Sequence, residues 1–243
     1  MTSREKTGLL PLEGSIPERP FSEKALTVAW GAIQWPWLLR SLWGGKLADK
    51  QALLDRLGLP HDALPHLGSW KADTWFLWRI VEAIERLRPK EVVELGCGAS
   101  TLVIAKALDQ CGGGRLSSYD QHAGFVESTS HWLESHGLDA DLRHAPLVED
   151  STHWSHVWYA LHSLPREIDL LVIDGPPWSL NPFIRGRAET LFDRIVPGGM
   201  VLLDDAARPG ERLVAARWKR DWPEFEFTLL PGAKGTLIGQ RKA

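Results

Sequence analysis

From Pro89 to its end the chain repeats one pattern, a short apolar run followed by a stretch of helical periodicity. The runs at Glu91–Leu95, Leu116–Tyr119, Asp141–His144, Ile168–Ile173, Met200–Leu203, Glu224–Leu229 and Thr236–Ile238 read as strands. Helices are expected at Ser100–Asp109, Gly124–His136, His153–Leu161, Arg187–Ile195 and Glu211–Trp222. Such alternation predicts an α/β fold, a mostly parallel seven-stranded sheet with helices on both faces. Only Pro231 and Gly232 separate the last two strands, so the sheet should end in an antiparallel hairpin. In a sheet of this kind ligands bind beyond the carboxyl ends of the strands, where strand order reverses. The positions to inspect are therefore Glu94–Ser100, Asp120, the segment after His144, Asp174–Trp178 and Asp204–Arg208.

The first third is different. Residues 1–20, with Gly8, Pro11, Gly14, Pro17 and Pro20, read as a loose arm without the order of a signal peptide. Residues 21–69 read as a helical extension rich in tryptophan, and residues 70–243 as the main domain. Ala25–Leu39 is too short for a membrane span, which needs about 20 residues. Leu26, Trp30, Ile33 and Trp37 share one helical face, and Pro36 should kink or end the helix. Helices at Leu47–Leu57 and Asp73–Leu87 follow, the latter with Leu77, Ile80, Val81, Ile84 and Leu87 as its buried stripe. Trp30, Trp35, Trp37, Trp43, Trp70, Trp75 and Trp78 make the extension a candidate lid over a pocket or a homodimer face. Lys71 and Trp75 would lie near the mouth of the main site.

The chain is 44% hydrophobic and 24% charged, which excludes a disordered chain, and its net charge of -3 disfavours nucleic acid or an anionic membrane as partner. Its two cysteines, Cys97 and Cys111, form no disulfide or zinc pattern and fit a reducing, cytoplasmic location.

Val92-Val93-Glu94-Leu95-Gly96-Cys97-Gly98-Ala99-Ser100-Thr101 is a strand, a glycine turn and a helix start. Gly96 and Gly98 let the backbone pass close to a ligand, and Ser100 can cap the helix. A dinucleotide loop would carry a third glycine where Thr101 stands. Glu94, two residues before Gly96, should face the ligand cavity, and its charge suits a cationic group such as the sulfonium of S-adenosylmethionine. Asp120 ends the next strand at the spacing where an acid accepts hydrogen bonds from ribose hydroxyls.

The sequence resembles the class I S-adenosylmethionine-dependent methyltransferases over roughly residues 70 to 240. The matching segments are the E-x-G-x-G-x-S-T loop, Asp120, Asp174-Gly175-Pro176-Pro177, and Pro197-Gly198-Gly199 leading into Val201-Leu202-Leu203-Asp204-Asp205. Ala145-Pro146-Leu147, Trp158-Tyr159 and Asp204-Asp205-Ala206-Ala207-Arg208 are similar to a bacterial branch that acts on small molecules. The resemblance implies a Rossmann-like fold and a small-molecule methyl acceptor. It also implies that Glu94, Gly96, Cys97, Gly98, Ser100 and Thr101 form the cofactor loop, with Glu94, Gly96 and Gly98 at the methionine part. Asp120 would then hold the ribose, Gln121 flank it and Leu147 lie near the adenine, while the acid often found after strand three is absent from Ala145-Pro146-Leu147.

Methyl transfer requires alignment of the nucleophile, and a hydroxyl acceptor must also lose its proton to a base or beside a metal. Asp174 is the first candidate to touch acceptor or cofactor, its plainer alternative being a turn cap over Gly175 and Pro176. His122 and His153 are further candidate bases. Asp174, Asp204 and Asp205 could together bind Mg²⁺, as their positions resemble the metal ligands of catechol-type and some sugar O-methyltransferases, although Pro177 and Trp178 stand where those enzymes carry a Lys or His. The alternative is that one of Asp204 and Asp205 caps the next helix or pairs with Arg208. Arg185 and Arg187 could reach an anionic acceptor, and Trp158 and Trp178 are pocket candidates. The favoured expectation is O-methylation of a hydroxylated metabolite or sugar. The alternatives are N-methylation of a nucleic-acid base, suggested by Asp174-Gly175-Pro176-Pro177-Trp178, and a silent cofactor-binding protein.

Overall fold

The computed structural model describes residues 17–150 and 154–243. Its centre is a seven-stranded sheet with the order β3-β2-β1-β6-β7-β9-β8. The strands are β1 (Glu91–Leu95), β2 (Arg115–Asp120), β3 (Asp141–His144), β6 (Ile168–Ile173), β7 (Ile195–Leu203), β8 (Phe225–Leu230) and β9 (Thr236–Arg241). The first five pair in parallel, while β9 runs antiparallel to β7 and β8 antiparallel to β9. This is the expected Rossmann-like α/β sheet with its terminal hairpin.

Successive side chains of a strand point to opposite faces, so the apolar runs feed two cores. Val92, Leu170, Val172 and Leu202 pack with α3 (Leu47–Leu57), α4 (Thr74–Leu87), α5 (Ala99–Gln110) and α6 (Ala123–Glu134). Val93, Leu95, Leu171, Ile173 and Leu203 pack with α7 (Pro209–Asp221) and a 3-10 segment, Ile184–Arg194. Asp73 caps α4 by accepting a hydrogen bond from the Phe76 N–H at 2.8 Å, and the stripe Leu77, Ile80, Val81 and Ile84 is buried as its spacing requires.

One expected α-helix is a 3-10 helix and another is absent. Arg187–Ile195 lies in the 3-10 segment and the start of β7. Where His153–Leu161 was expected to be helical, Val157–Tyr159 is a strand (β5) paired antiparallel with β4, Leu147–Glu149. Val157, Trp158 and Tyr159 are all buried, and a continuous apolar run of that length suits a buried strand as well as a helix.

The extension forms α1 (Phe21–Ile33) and α2 (Trp35–Ser41), broken at Gln34 with Pro36 in the first turn of α2. The apolar face expected to pack does so only in part: Leu26 and Ile33 are exposed, while Trp30 and Trp37 are half-buried. The face turned inward carries Glu23, Thr27, Trp30 and Gln34, because the body offers hydrogen-bond donors there. Glu23 accepts from Asn181 Nδ2 at 2.5 Å, Ser155 Oγ at 3.0 Å and the His156 N–H at 3.4 Å. Thr27 Oγ1 donates to the Leu180 carbonyl at 3.2 Å, and Trp30 meets Phe183 edge-on with centroids 5.0 Å apart. Phe21, Val28, Trp35, Leu39, Trp43 and Leu47 face outward. Glu23→Ala removes the acceptor from a buried cluster and should cost about 1–3 kcal/mol. Limited proteolysis should then cut within residues 21–41 faster than in the parent, and an unchanged cleavage pattern would deny that Glu23 anchors α1.

Candidate functional site

The strand order reverses at β1, which has β2 on one side and β6 on the other. Beyond the carboxyl ends of these strands lies a cavity of about 410 Å³, within the size range of small-molecule sites. Its floor is the β1–α5 loop, Gly96 to Ser100, flanked by Asp120 and Gln121 after β2 and by Asp174, Gly175, Pro177 and Trp178 after β6. Leu38 and Ser41 of α2, Leu42, and Ser69, Trp70, Lys71 and Ala72 before α4 cover it.

Gly96 has φ +95°, a conformation that only glycine adopts freely. A Cβ there would fall 2.7 Å from the Gly175 backbone nitrogen, and a Cβ on Gly175 would fall 2.3 Å from the Tyr159 hydroxyl. Two loop backbones thus meet at van der Waals contact, which explains the glycine between Asp174 and Pro176.

Glu94 does not face the cavity. It is fully buried, and its Oε2 accepts from Thr101 Oγ1 at 2.7 Å and Ser118 Oγ at 2.6 Å. Thr101 Oγ1 in turn accepts from the Gly98 N–H at 2.8 Å. Glu94 and Thr101 therefore fix the loop from behind instead of touching a ligand, and burial raises the Glu94 pKa to about 7. The residue pattern could not reveal this, since an acid at the end of a strand may turn either way.

Asp120 does line the cavity, with Oδ2 accepting from the Cys97 N–H at 3.0 Å and Oδ1 from the His122 N–H at 2.7 Å. Burial raises its pKa to about 7 against the pull of those two hydrogen bonds. Cys97, Gly98, Ser100 and Gln121 line the cavity as expected. Leu147 does not: it lies in β4, paired with Tyr159. Phe125 of α6 takes the place at the wall, stacked on Trp70 with centroids 5.4 Å apart and planes 5° apart. His122 is not a cavity residue either. It is buried at the N-cap of α6, where Nδ1 accepts from the Phe125 N–H at 3.2 Å. His153 lies outside the described residues.

On the other side Asp174 lines the cavity, its side chain 12% exposed. Burial first, and Asp204 second, push its pKa well above the ordinary carboxylate value. Arg185, expected to reach an anionic acceptor, lines the cavity, and although buried it also holds the loop together. It donates to the Pro176 carbonyl at 3.1 Å, the Asp204 carbonyl at 3.2 Å and the Asp174 carbonyl, and pairs with Asp205 at 3.0 Å. Arg187 pairs with Asp150 at 2.5 Å, away from the cavity lining. Trp178 lines the cavity and Trp158 is buried in the core. Lys71 lines it too, whereas Trp75 packs edge-on against Trp43.

Asp174, Asp204 and Asp205 do converge, with one oxygen of each within 4.8 Å of the others. Their charges, however, are already met. Lys234 pairs with Asp204 at 2.9 Å and with Asp205 at 3.2 Å, and Arg208 pairs with Asp205 at 2.6 Å. Mg²⁺ requires near-octahedral oxygen ligation at about 2.0–2.1 Å, and three side-chain cations among the same oxygens leave a set that does not fit it. Lys234 escaped the sequence reading because nothing in Pro231-Gly232-Ala233-Lys234-Gly235 marks it beyond a hairpin turn. Ser69 is a further lining residue that nothing in the sequence marks, while Trp70 and Arg208, from the expected lid and the segment after the fifth strand, line the cavity too.

An adenosyl cofactor does fit: the open space beside Gly98, where a Cβ would meet nothing within 4 Å, the ribose-side carboxylate of Asp120 and the cavity volume agree with it. Residues 93–206 match the family model described as a methyltransferase domain. No curated protein matches the chain by sequence. Among solved structures it is similar to the Podospora anserina methyltransferase PaMTH1 bound to SAH (14% identity, 96% of this chain and 100% of that one, TM-score 0.55). It is also similar to the Bacillus cereus O-methyltransferase in complex with SAH (14%, 89% and 100%, 0.54). A third is the O-methyltransferase TomG from Streptomyces achromogenes, involved in tomaymycin synthesis, with SAM (14%, 89% and 99%, 0.52). Strand order and glycine loop give the Rossmann-like fold that these solved structures share, and residues 93–206, a little under half of the chain, match a methyltransferase domain.

Proposed function

We propose that the chain transfers a methyl group from S-adenosylmethionine to the hydroxyl oxygen of a small molecule held above Asp174. The observation that carries this reading is one continuous covered cavity lined at one end by the glycine loop and Asp120 and at the other by Asp174, Pro177 and Trp178. That two of the similar structures are O-methyltransferases supports oxygen as the acceptor atom. A cavity roofed by α2 and residues 69–72 suits a metabolite better than a base carried on a nucleic acid. No helix among the described residues is long and apolar enough to cross a membrane, and the free thiols of Cys97 and Cys111 suit a reducing, cytoplasmic location.

The bound cofactor supplies an electrophilic methyl group on a sulfonium. Gly96, Cys97 and Gly98 would bring backbone to its methionine part, and Asp120 would accept from the ribose hydroxyls. Asp174 accepts the acceptor's proton at a carboxylate oxygen, a task suited to a group whose basicity burial has raised. Arg185 fixes the loop on which Asp174 sits, and the aromatic and aliphatic cover excludes water.

Thermal shift with S-adenosylmethionine, its demethylated product and NAD tests the cofactor half. The first two should raise Tm, a ligand at 100 times its Kd adding about 2.7 kcal/mol. A shift with NAD alone would overturn the reading. The effect should depend on pH through Asp120. Its folded pKa of about 7 lies above the unfolded value of 3.8, so its contribution to the empty protein is complete below pH 4 and is lost as pH rises through 7. The ribose hydroxyls prefer the ionised carboxylate, so product affinity should instead rise through the same window. Calorimetric titrations at pH 6 and pH 8 should show this, with Asp120→Asn flattening the difference.

A further inference from the structure

The resemblance to metal-using O-methyltransferases implies a divalent cation among Asp174, Asp204 and Asp205, and the donor set does not fit one. We propose that the Lys234 ammonium is a built-in cation holding that place, so that the chain positions its acceptor-side carboxylates without a metal ion.

Lys234 lies in the turn between β8 and β9, and its side chain is fully buried. An ammonium has three donors. One goes to Asp204 Oδ2 at 2.9 Å, one to the Lys71 carbonyl at 2.9 Å, and Asp205 Oδ1 lies 3.2 Å away. Burial alone would lower its pKa, but Asp204, Asp205 and Asp174 reverse this and raise it above the usual lysine value, so the charge is kept.

Other features of the cluster agree. Asp205 adopts the left-handed conformation, φ +60°, which costs energy for a residue other than glycine. Its carboxylate is pinned there by Arg208 at 2.6 Å, Arg185 at 3.0 Å and Lys234. Among the described residues the oxygens of Asp204 and Asp205 left without a hydrogen bond are Asp204 Oδ1 and Asp205 Oδ1, and the latter is ion-paired with Arg208 at 2.6 Å and Lys234 at 3.2 Å, so side-chain cations already stand where a metal would sit. The Lys71 carbonyl belongs to the segment that covers the cavity, so the same ammonium ties the cover to the strand ends. A hydrated metal ion would have to displace this contact.

The inference rests on the methyl-transfer reading only in calling these the acceptor-side carboxylates; the cation's place can be measured without turnover. The full chain, saturated with the demethylated cofactor, is titrated with Mn²⁺ and free Mn²⁺ is followed by electron paramagnetic resonance. The parent should bind no stoichiometric Mn²⁺. Lys234→Ala, which removes the ammonium and leaves space, should bind Mn²⁺ at least about tenfold more tightly than the parent, equivalent to ~1.4 kcal/mol. Adding Asp204→Asn to that variant should abolish the gain. One Mn²⁺ per parent chain, lost in Asp204→Asn, would overturn the proposal, as would a folded Lys234→Ala with no gain. If circular dichroism shows Lys234→Ala unfolded, the parent and Asp204→Asn titrations decide alone. Failure of the demethylated cofactor to shift Tm would sink the methyl-transfer reading instead, leaving the Mn²⁺ result intact.

Discussion

Asp174→Asn should lower turnover by a factor of about 10² to 10⁴, the usual contribution of a positioned general base, while binding of the demethylated cofactor stays within a few-fold of the parent. The substitution keeps volume and removes only the capacity to take a proton. Asp174 is the carboxylate on the β6 loop that lines the cavity, and burial with Asp204 nearby raises its basicity. Its backbone is held from several sides: its N–H donates to the Leu95 carbonyl at 2.9 Å, and Arg185 bonds its carbonyl. Loss of turnover should therefore reflect chemistry and not a displaced loop. The measurement is release of demethylated cofactor with the best acceptor from a panel of small hydroxylated molecules. Equal kcat in the two proteins would remove Asp174 from proton transfer and leave it the turn-capping role. A parallel loss of cofactor binding would place it on the cofactor side.

The second large effect is expected at Gly96. Gly96→Ala places a methyl 2.7 Å from the Gly175 nitrogen and forces a positive φ on a residue with a side chain. Backbone strain of about 1–3 kcal/mol adds to an overpacking cost of about 1–3 kcal/mol. Because neither loop can yield without moving the other, both ends of the site should suffer. Tm should fall by about 4–24 °C, at roughly 2–4 °C per kcal/mol for a chain of this size, and cofactor-induced stabilisation should disappear. A variant with parental Tm and a full shift would mean that the two loops do not need their close approach.

Much of this was legible in the residues. The strands β1, β3 and β6 lie at the expected residues, and Asp120, Asp174 and Asp204 stand at or just beyond the ends of neighbouring strands. The misreadings share a cause. Glu94, Leu147 and His122 were assigned by position along the chain, but none lines the cavity: Glu94 is held by Thr101 and Ser118, Leu147 lies in β4 paired with β5, and His122 caps α6 through the Phe125 N–H. The expected α1 face packs only in part for a related reason. An apolar stripe predicts burial only if its partner surface is apolar, and here Ser155, the His156 N–H and Asn181 drew in Glu23.

The sequence by itself determined the parallel sheet, the glycine turn and the row of acids at strand ends, because periodicity and turn chemistry act over a few residues. Tertiary structure alone decided which acids face a ligand and which are paired. Lys234 reaches Asp204 from 30 residues away, and Lys71 from 163, because the antiparallel return of β9 beside β7 brings the hairpin turn over the strand ends. In a buried site such pairing decides how many carboxylates keep charge to offer, and that number follows from topology, which spacing along the chain does not encode.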